Sequence, residues 1–203
     1  MSYQERRVTI APLEYSQRHS VAQMIQGCID EMFCTGSDEE DTSHNPQVMK
    51  DLLRELYTPE RLSVYAGPQY TSPANPLSPG ASYQEFFVAH DGEKPYRCMS
   101  LRVNQDHDSE WLEIGAFYGT NNVITAYRML QQAWDTSIEL GKRGLMGKII
   151  KDKALNFFRK AAIKNEGPFF ETEEVITEIH PRTDHSITLP IYRFYWEHRS
   201  REQ

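Results

Sequence analysis

Trp111-Leu-Glu-Ile-Gly-Ala-Phe-Tyr-Gly119, the run Val123–Leu140, Gly141-Lys-Arg-Gly-Leu-Met-Gly-Lys-Ile-Ile150 and the run Asp152–Ile163 follow one another along this chain. The first piece is apolar and β-prone. The second places Val123, Tyr127, Leu130, Trp134 and Ile138 at helical spacing, with Ala126 and Ala133 beside them. Gly141 supplies the residue that commonly stops a helix. Leu145–Ile150 is again β-prone, and Asp152 is suited to cap a helix that carries Leu155, Phe158 and Ala162. Strand, helix, strand and helix in that order predict two parallel strands joined through Val123–Leu140 in a right-handed crossover, followed by a packed helix.

Working outward, Arg7–Ile10 is a short β-prone run. Ser16–Phe33 follows, with Val21, Met24, Ile25, Cys28, Ile29 and Met32 on one helical face, and should end near Thr35-Gly36. Pro46–Leu56 reads as a second helix, its Pro in the first turn and Val48, Leu52, Leu53 and Leu56 on one side. Phe86–His90 and Tyr96–Asn104 form a hairpin-like pair across Asp91-Gly92. Between them and the second helix, Gly67–Ser82 holds four prolines without apolar periodicity, the pattern of a flexible surface loop. Glu174–His180 and Thr188–Trp196 are the last β-prone runs. The expected order is β-α-α-β-β-β-α-β-α-β-β, an α/β (α+β) fold with a mixed, mostly antiparallel sheet flanked by helices.

A length of 203 residues is most simply one domain, 1–203, with a sizeable core. A 39% hydrophobic and 25% charged composition is that of a globular protein. The net charge of −7 argues against a phosphate-backbone binder, so nucleic acid is not an expected partner. The N-terminus has no apolar segment after its charges, and no run approaches the roughly 18 apolar residues that span a bilayer. Three cysteines without metal spacing suggest a reducing compartment; a cytoplasmic protein without membrane association is expected. Asp106-His107-Asp108 and the set Glu178, His180, Asp184 and His185 match no established ligand spacing and read as polar loops, so no metal is expected. A surface-exposed last strand would make a homodimer plausible.

The element order resembles the GNAT superfamily of N-acyltransferases, over nearly the whole chain in topology and over Glu113–Ile163 in detail. In that family the fourth strand bulges and splays from the fifth, and its backbone amides hold a pantetheine arm. Gly115 sits mid-strand, where glycine often marks a bulge; Ala116, Phe117 and Tyr118 would then be the amide-bearing positions. The family's Arg/Gln-x-x-Gly-x-Gly/Ala loop corresponds here to Asn121-Asn-Val-Ile-Thr-Ala126, in which Asn122 and Ile124 replace glycines. The amides at Val123, Ile124 and Thr125 still open a helix, but the added side chains predict weak binding of free coenzyme A. Phe158 stands at the position of a tyrosine that often protonates the leaving thiolate.

The resemblance implies an acyl donor, acyl-CoA or acyl-phosphopantetheine on an acyl carrier protein, and an amine acceptor on a small molecule or protein. Glu113, the carboxylate inside the fourth strand, is the candidate general base, and Tyr118 or Tyr127 the candidate acid. Loss of the glycines and of the tyrosine equally suits a non-catalytic binding or regulatory protein on the same scaffold.

Overall fold

The computed structural model describes residues 8–34, 46–65, 83–92, 94–103, 109–120, 122–150, 152–165, 167–179 and 186–198. The elements are β1 (Thr9–Pro12), α1 (Arg18–Cys34), α2 (Pro46–Leu56), the single turn α3 (Pro59–Leu62), β2 (Tyr83–His90), β3 (Pro95–Val103), β4 (Trp111–Gly119), α4 (Val123–Glu139), β5 (Gly144–Ile149), α5 (Asp152–Lys164), β6 (Phe169–Ile179) and β7 (Ser186–Glu197). Apart from the α3 turn, this is the order expected from the pattern. The Gly67–Ser82 loop, the Thr35-Gly36 stop, Asp106–Asp108 and His180–His185 lie outside the described residues.

Seven strands form one sheet in the order β1-β2-β3-β4-β5-β7-β6. β4 and β5 run parallel, and the other described neighbours are antiparallel. One face carries α1 and α3 over a core that includes Ile25, Ile29, Leu62, Phe86, Val88, Cys98 and Ala116. The opposite face carries α4 and α5 over Met99, Leu101, Leu112, Ile114, Leu130, Leu145, Phe158, Phe194 and Trp196. Full burial of each large apolar side chain stabilises the fold by roughly 1.5–3 kcal/mol.

The joint between β4 and β5 is built locally. Asn122 caps α4, its side-chain oxygen accepting from the Thr125 N–H at 3.1 Å. At the other end Gly141 takes φ +63° in the left-handed region, and the Lys142 N–H closes back on the Ser137 carbonyl at 2.8 Å. The strands then enter the sheet side by side.

Two expectations about the C-terminal strands need correction. The last strand is not surface-exposed: β7 inserts between β5 and β6, with pairing partners on both edges, and β6 forms the sheet edge. β6 also begins at Phe169, five residues before the β-prone run at Glu174. Phe170, Glu171, Thr172 and Glu173 are exposed, so this edge segment lacks the apolar alternation that betrays a half-buried strand. No helix among the described residues is long and apolar enough to cross a membrane.

Candidate active site at the bulge of the fourth strand

The middle of β4 departs from regular pairing on both sides. Toward β3, Ile114 faces Leu101 and Phe117 faces Met99, so Gly115 and Ala116 together oppose Ser100. That is a β-bulge at the mid-strand glycine. The Ser100 hydroxyl accepts from the Ala116 N–H at 2.7 Å and fills the gap left in the ladder. Toward β5, pairing runs from Trp111↔Gly144 to Ile114↔Gly147 and stops. Lys148 and Ile149 go on pairing with β7, but residues 115–119 of β4 have no partner strand on that side among the described residues. The two parallel strands therefore separate from the bulge onward.

The bulge also changes which side chains share a face. Strict alternation would put Glu113 and Tyr118 on opposite faces. The extra residue shifts the parity, so Tyr118 joins Ala116 in packing on the α1 face. Glu113 faces the same way: it is paired with Arg102, which is in turn near Tyr65 and Tyr57. Tyr57 packs edge-on against Tyr118, with ring centroids 5.3 Å apart. A polar group of Glu113, Arg102, Tyr57, Tyr65 and Tyr118 thus lies between the sheet and α1–α3.

Glu113 is 3% exposed. Arg102 grips it with two nitrogens, Nε to Oε2 at 2.8 Å and Nη2 to Oε1 at 2.5 Å. The two contacts occupy one lone pair on each carboxylate oxygen and fix the orientation of the group. Burial works against the Arg102 charge, but the hydrogen bonds and charge of Glu113 outweigh it and raise the Arg102 pKa. Tyr118 is hydrogen-bonded to Tyr57, and burial, reinforced by Cys98, pushes its phenol well above the usual range. Tyr65 is pushed up to about 12, chiefly by burial. These phenols stay protonated at neutral pH. Cys28 and Cys98 are free thiols, both raised by burial, and behave as packing residues.

Tyr127 lies elsewhere. It packs on the α4–α5 face, 5.2 Å from the Phe157 ring, with the Lys164 ammonium 5.0 Å over its own ring. The structure therefore puts Glu113 and Tyr118 on the same face of the sheet, with Tyr57 between Arg102 and Tyr118, and leaves Tyr127 across the sheet. Phe117 points to that second face as well, 5.6 Å from Phe158, which is itself stacked on Phe194 at 4.6 Å. Among the positions expected to face a donor, Ala116 is buried beside the bulge, and its amide is taken by Ser100. At the start of α4, Val123 and Ile124 are exposed, while Thr125 is buried with its amide on Asn122 and its hydroxyl 3.0 Å from the Tyr96 hydroxyl.

Ser100, Arg102 and Tyr57 carry much of this geometry and escaped the sequence reading. A signal existed for two of them. The alternation that placed Met99, Leu101 and Val103 on one face leaves Ser100 and Arg102 as the polar residues of the other. Tyr57 had none, because the turn at α3 that sets it was not anticipated. Among the described residues no group of three or more His, Cys, Asp or Glu side chains has a metal-holding arrangement.

No family sequence model matches this chain, and no curated protein matches it in sequence. Solved structures do match in shape. A probable acetyltransferase from Staphylococcus epidermidis ATCC 12228 aligns over 94% of this chain and 99% of its own, with a TM-score of 0.60 at 12% identity. The PaiA N-acetyltransferase from Thermoplasma acidophilum, solved in complex with coenzyme A, aligns over the same shares with a TM-score of 0.58 at 12% identity. An acetyltransferase of the GNAT family from Staphylococcus aureus Mu50 aligns over 94% and 99%, with a TM-score of 0.51 at 13% identity. At such identities the likeness speaks for architecture alone, and the architecture is plain: the chain has a GNAT-like fold.

Proposed function

We propose that this protein transfers an acyl group from a pantetheine thioester to an amine. The observation that carries this reading is the bulge at Gly115-Ala116 together with the separation of β4 from β5 beyond Ile114. A splayed strand pair with free backbone edges accepts an extended amide-bearing chain as a substitute strand. A pantetheine arm has that chemistry. The PaiA structure was solved with coenzyme A, which supports acyl-CoA as the donor. The departures in the loop before α4 leave an acyl carrier protein as the other source of the same arm.

In this reading the amine attacks the thioester carbonyl, the carbon–sulfur bond breaks and the thiolate takes a proton. Tyr118 is the proton donor, because it stays protonated and sits on the strand that bounds the cleft. Glu113 is the carboxylate that receives the amine proton, through water and on loosening of its Arg102 contact. The backbone of Phe117 and Tyr118 would lie along the arm, and Val123 and Ile124 would border it at the start of α4.

A second reading, a non-catalytic binding protein, is favoured by one observation. Phe158 occupies the expected phenol position, stacked on Phe194 and packed at a tilt against Phe117. Native mass spectrometry with acetyl-CoA, longer acyl-CoAs and acyl carrier protein, followed by assay against a panel of amines, separates the two. Donor binding with turnover supports the transferase. Donor binding without turnover over a broad amine panel favours the binding protein, and no binding of any pantetheine-bearing ligand defeats both.

A further inference from the structure

Lys148 faces another cation. In the register of β5 against β7 it lies directly opposite Arg193, so the two side chains leave the sheet on one face. Like charges directly opposite each other weaken a strand pair. Arg193 is anchored: its Nε donates to Glu174 Oε2 at 3.0 Å, its Nη2 lies 2.9 Å from the same oxygen, and Tyr195 shares a further hydrogen bond with it. Lys148 is exposed, and no ion pair or hydrogen bond joins its side chain to a described residue. Two cations and one carboxylate leave a positive charge unmatched there, in a chain whose net charge is −7.

The strands decide where that charge stands. β4 and β5 pair as far as Ile114↔Gly147, so Lys148 is the first residue of β5 past the last pair. Its backbone borders the gap between the two strands. Its side chain shares a face with Met146, whose partner on β4 is Glu113, while Leu145 and Ile149 turn to the α4–α5 core. One pleat along a strand is about 7 Å, so Lys148 starts within a long side chain's reach of Glu113. On this face α1 packs over β3 and β4. Further across it, Lys148, Phe170 and Thr172 are exposed. An amine that approaches the gap from this face, its nitrogen toward Glu113, meets Lys148 on its other side.

We propose that Lys148, with Arg193 behind it, binds a carboxylate carried by the acceptor, which makes the acceptor a small amino acid: an amine with a carboxylate a few bonds from its nitrogen. This deepens the acyl-transfer reading and rests on it. A carboxylate between the two cations relieves their repulsion across β5 and β7, and it turns the amine toward Glu113 and the gap. The carboxylate keeps its charge throughout and only orients; the nitrogen alone forms the new bond. An amide or a simple amine offers nothing to the cations, and an acceptor with a second positive charge is repelled by them.

The test is acyl transfer, with a donor shown to bind, to a panel of α-, β- and γ-amino acids, each beside its carboxamide and its decarboxylated amine. Wild type, Lys148→Arg, Lys148→Met and Lys148→Glu are compared. The wild type should prefer an amino acid to its amide or decarboxylated amine by roughly 10- to 100-fold in kcat/KM, the range of one charge-assisted contact. Lys148→Arg should keep most of that preference. Lys148→Met should lose it through a raised KM for the amino acid, and Lys148→Glu should favour the uncarboxylated amines.

The melting temperature of free Lys148→Met supplies a second readout. It should hold or rise, since the repulsion from Arg193 is gone. A wild type that acylates amides and simple amines as well as amino acids overturns the proposal and leaves acyl transfer standing. So does a preference for the carboxylate that survives undiminished in Lys148→Met. Failure to acylate any amine of the panel overturns both.

Discussion

Glu113 and Ser100 show what single residues can do at a strand defect. Glu113 is buried and held by two nitrogens of Arg102, whose side chain is 27% exposed. Glu113→Gln keeps the shape but leaves the Arg102 cation with one acceptor oxygen and no counter-charge. Part of the Arg102 charge can still reach water, so the expected loss of stability is roughly 1–3 kcal/mol, short of that for breaking a fully buried pair. If Glu113 is also the base, the acyl-transfer rate should fall by roughly 10²–10⁴-fold. An undiminished rate in a folded Glu113→Gln protein would confine the residue to its pairing with Arg102. Ser100→Ala makes a sharper claim about the bulge. It leaves the Ala116 N–H buried without its acceptor, at a cost of about 1–3 kcal/mol. Urea unfolding that gives the same midpoint as wild type would show that the bulge does not depend on this hydroxyl. Glu113 was legible in the sequence as the carboxylate inside an apolar strand. Its fixed link to Arg102 was not, because it depends on the register of β3 against β4, which no local pattern states.

At the scale of elements, the strands and helices from Trp111 to Lys164 could be read almost to the residue, because each has a strong period and its own stop. Gly115 even announced the bulge. The order β5-β7-β6 could not be read, since insertion of the last strand is decided by long-range pairing. Gly119 belongs to this scale, because it sets how closely β3 and β4 approach at their ends. Gly119→Ala forces its Cβ into the Tyr96 carbonyl and the Arg97 backbone, and should cost about 1–3 kcal/mol, read as a lowered melting temperature. The end of β7 is fastened differently. His198 Nε2 lies 2.7 Å from the Ser137 hydroxyl, which donates to the Trp134 carbonyl, and its ring packs 4.0 Å from the Trp134 ring. Burial lowers the His198 pKa below its ordinary value of 6.5. The unfolded chain therefore binds this proton more readily than the folded one, and stability falls as pH drops from about 6.5 through the folded value. Replacing His198 with Gln should flatten the stability profile below pH 6.5. An unchanged acid slope in that variant would assign it to other groups.

For the molecule as a whole, the sheet is continuous from β1 to β6 except where β4 and β5 part. On one side of that opening lies the polar group around Glu113 and Tyr118, and on the other the aromatic cluster of Phe117, Phe157 and Phe158. The gap interrupts the ladder at the centre of the sheet, while β4 stays paired with β3 apart from the bulge and β5 stays paired with β7. Amides there lack the mutual protection that a paired strand gives. Hydrogen exchange should accordingly be faster in 115–119 and 148–149 than in 98–101 or 192–196, which lie inside paired ladders. A pantetheine thioester lying in the gap as a substitute strand would take up those edges. Its addition should slow exchange selectively in 115–119 and 148–149, with a smaller effect at 122–125 where α4 begins. If saturating acyl-CoA or acyl carrier protein slows exchange only on the outer face of α4 or along β6, the donor does not bind between β4 and β5. The acyl-transfer reading would then lose the observation on which it stands.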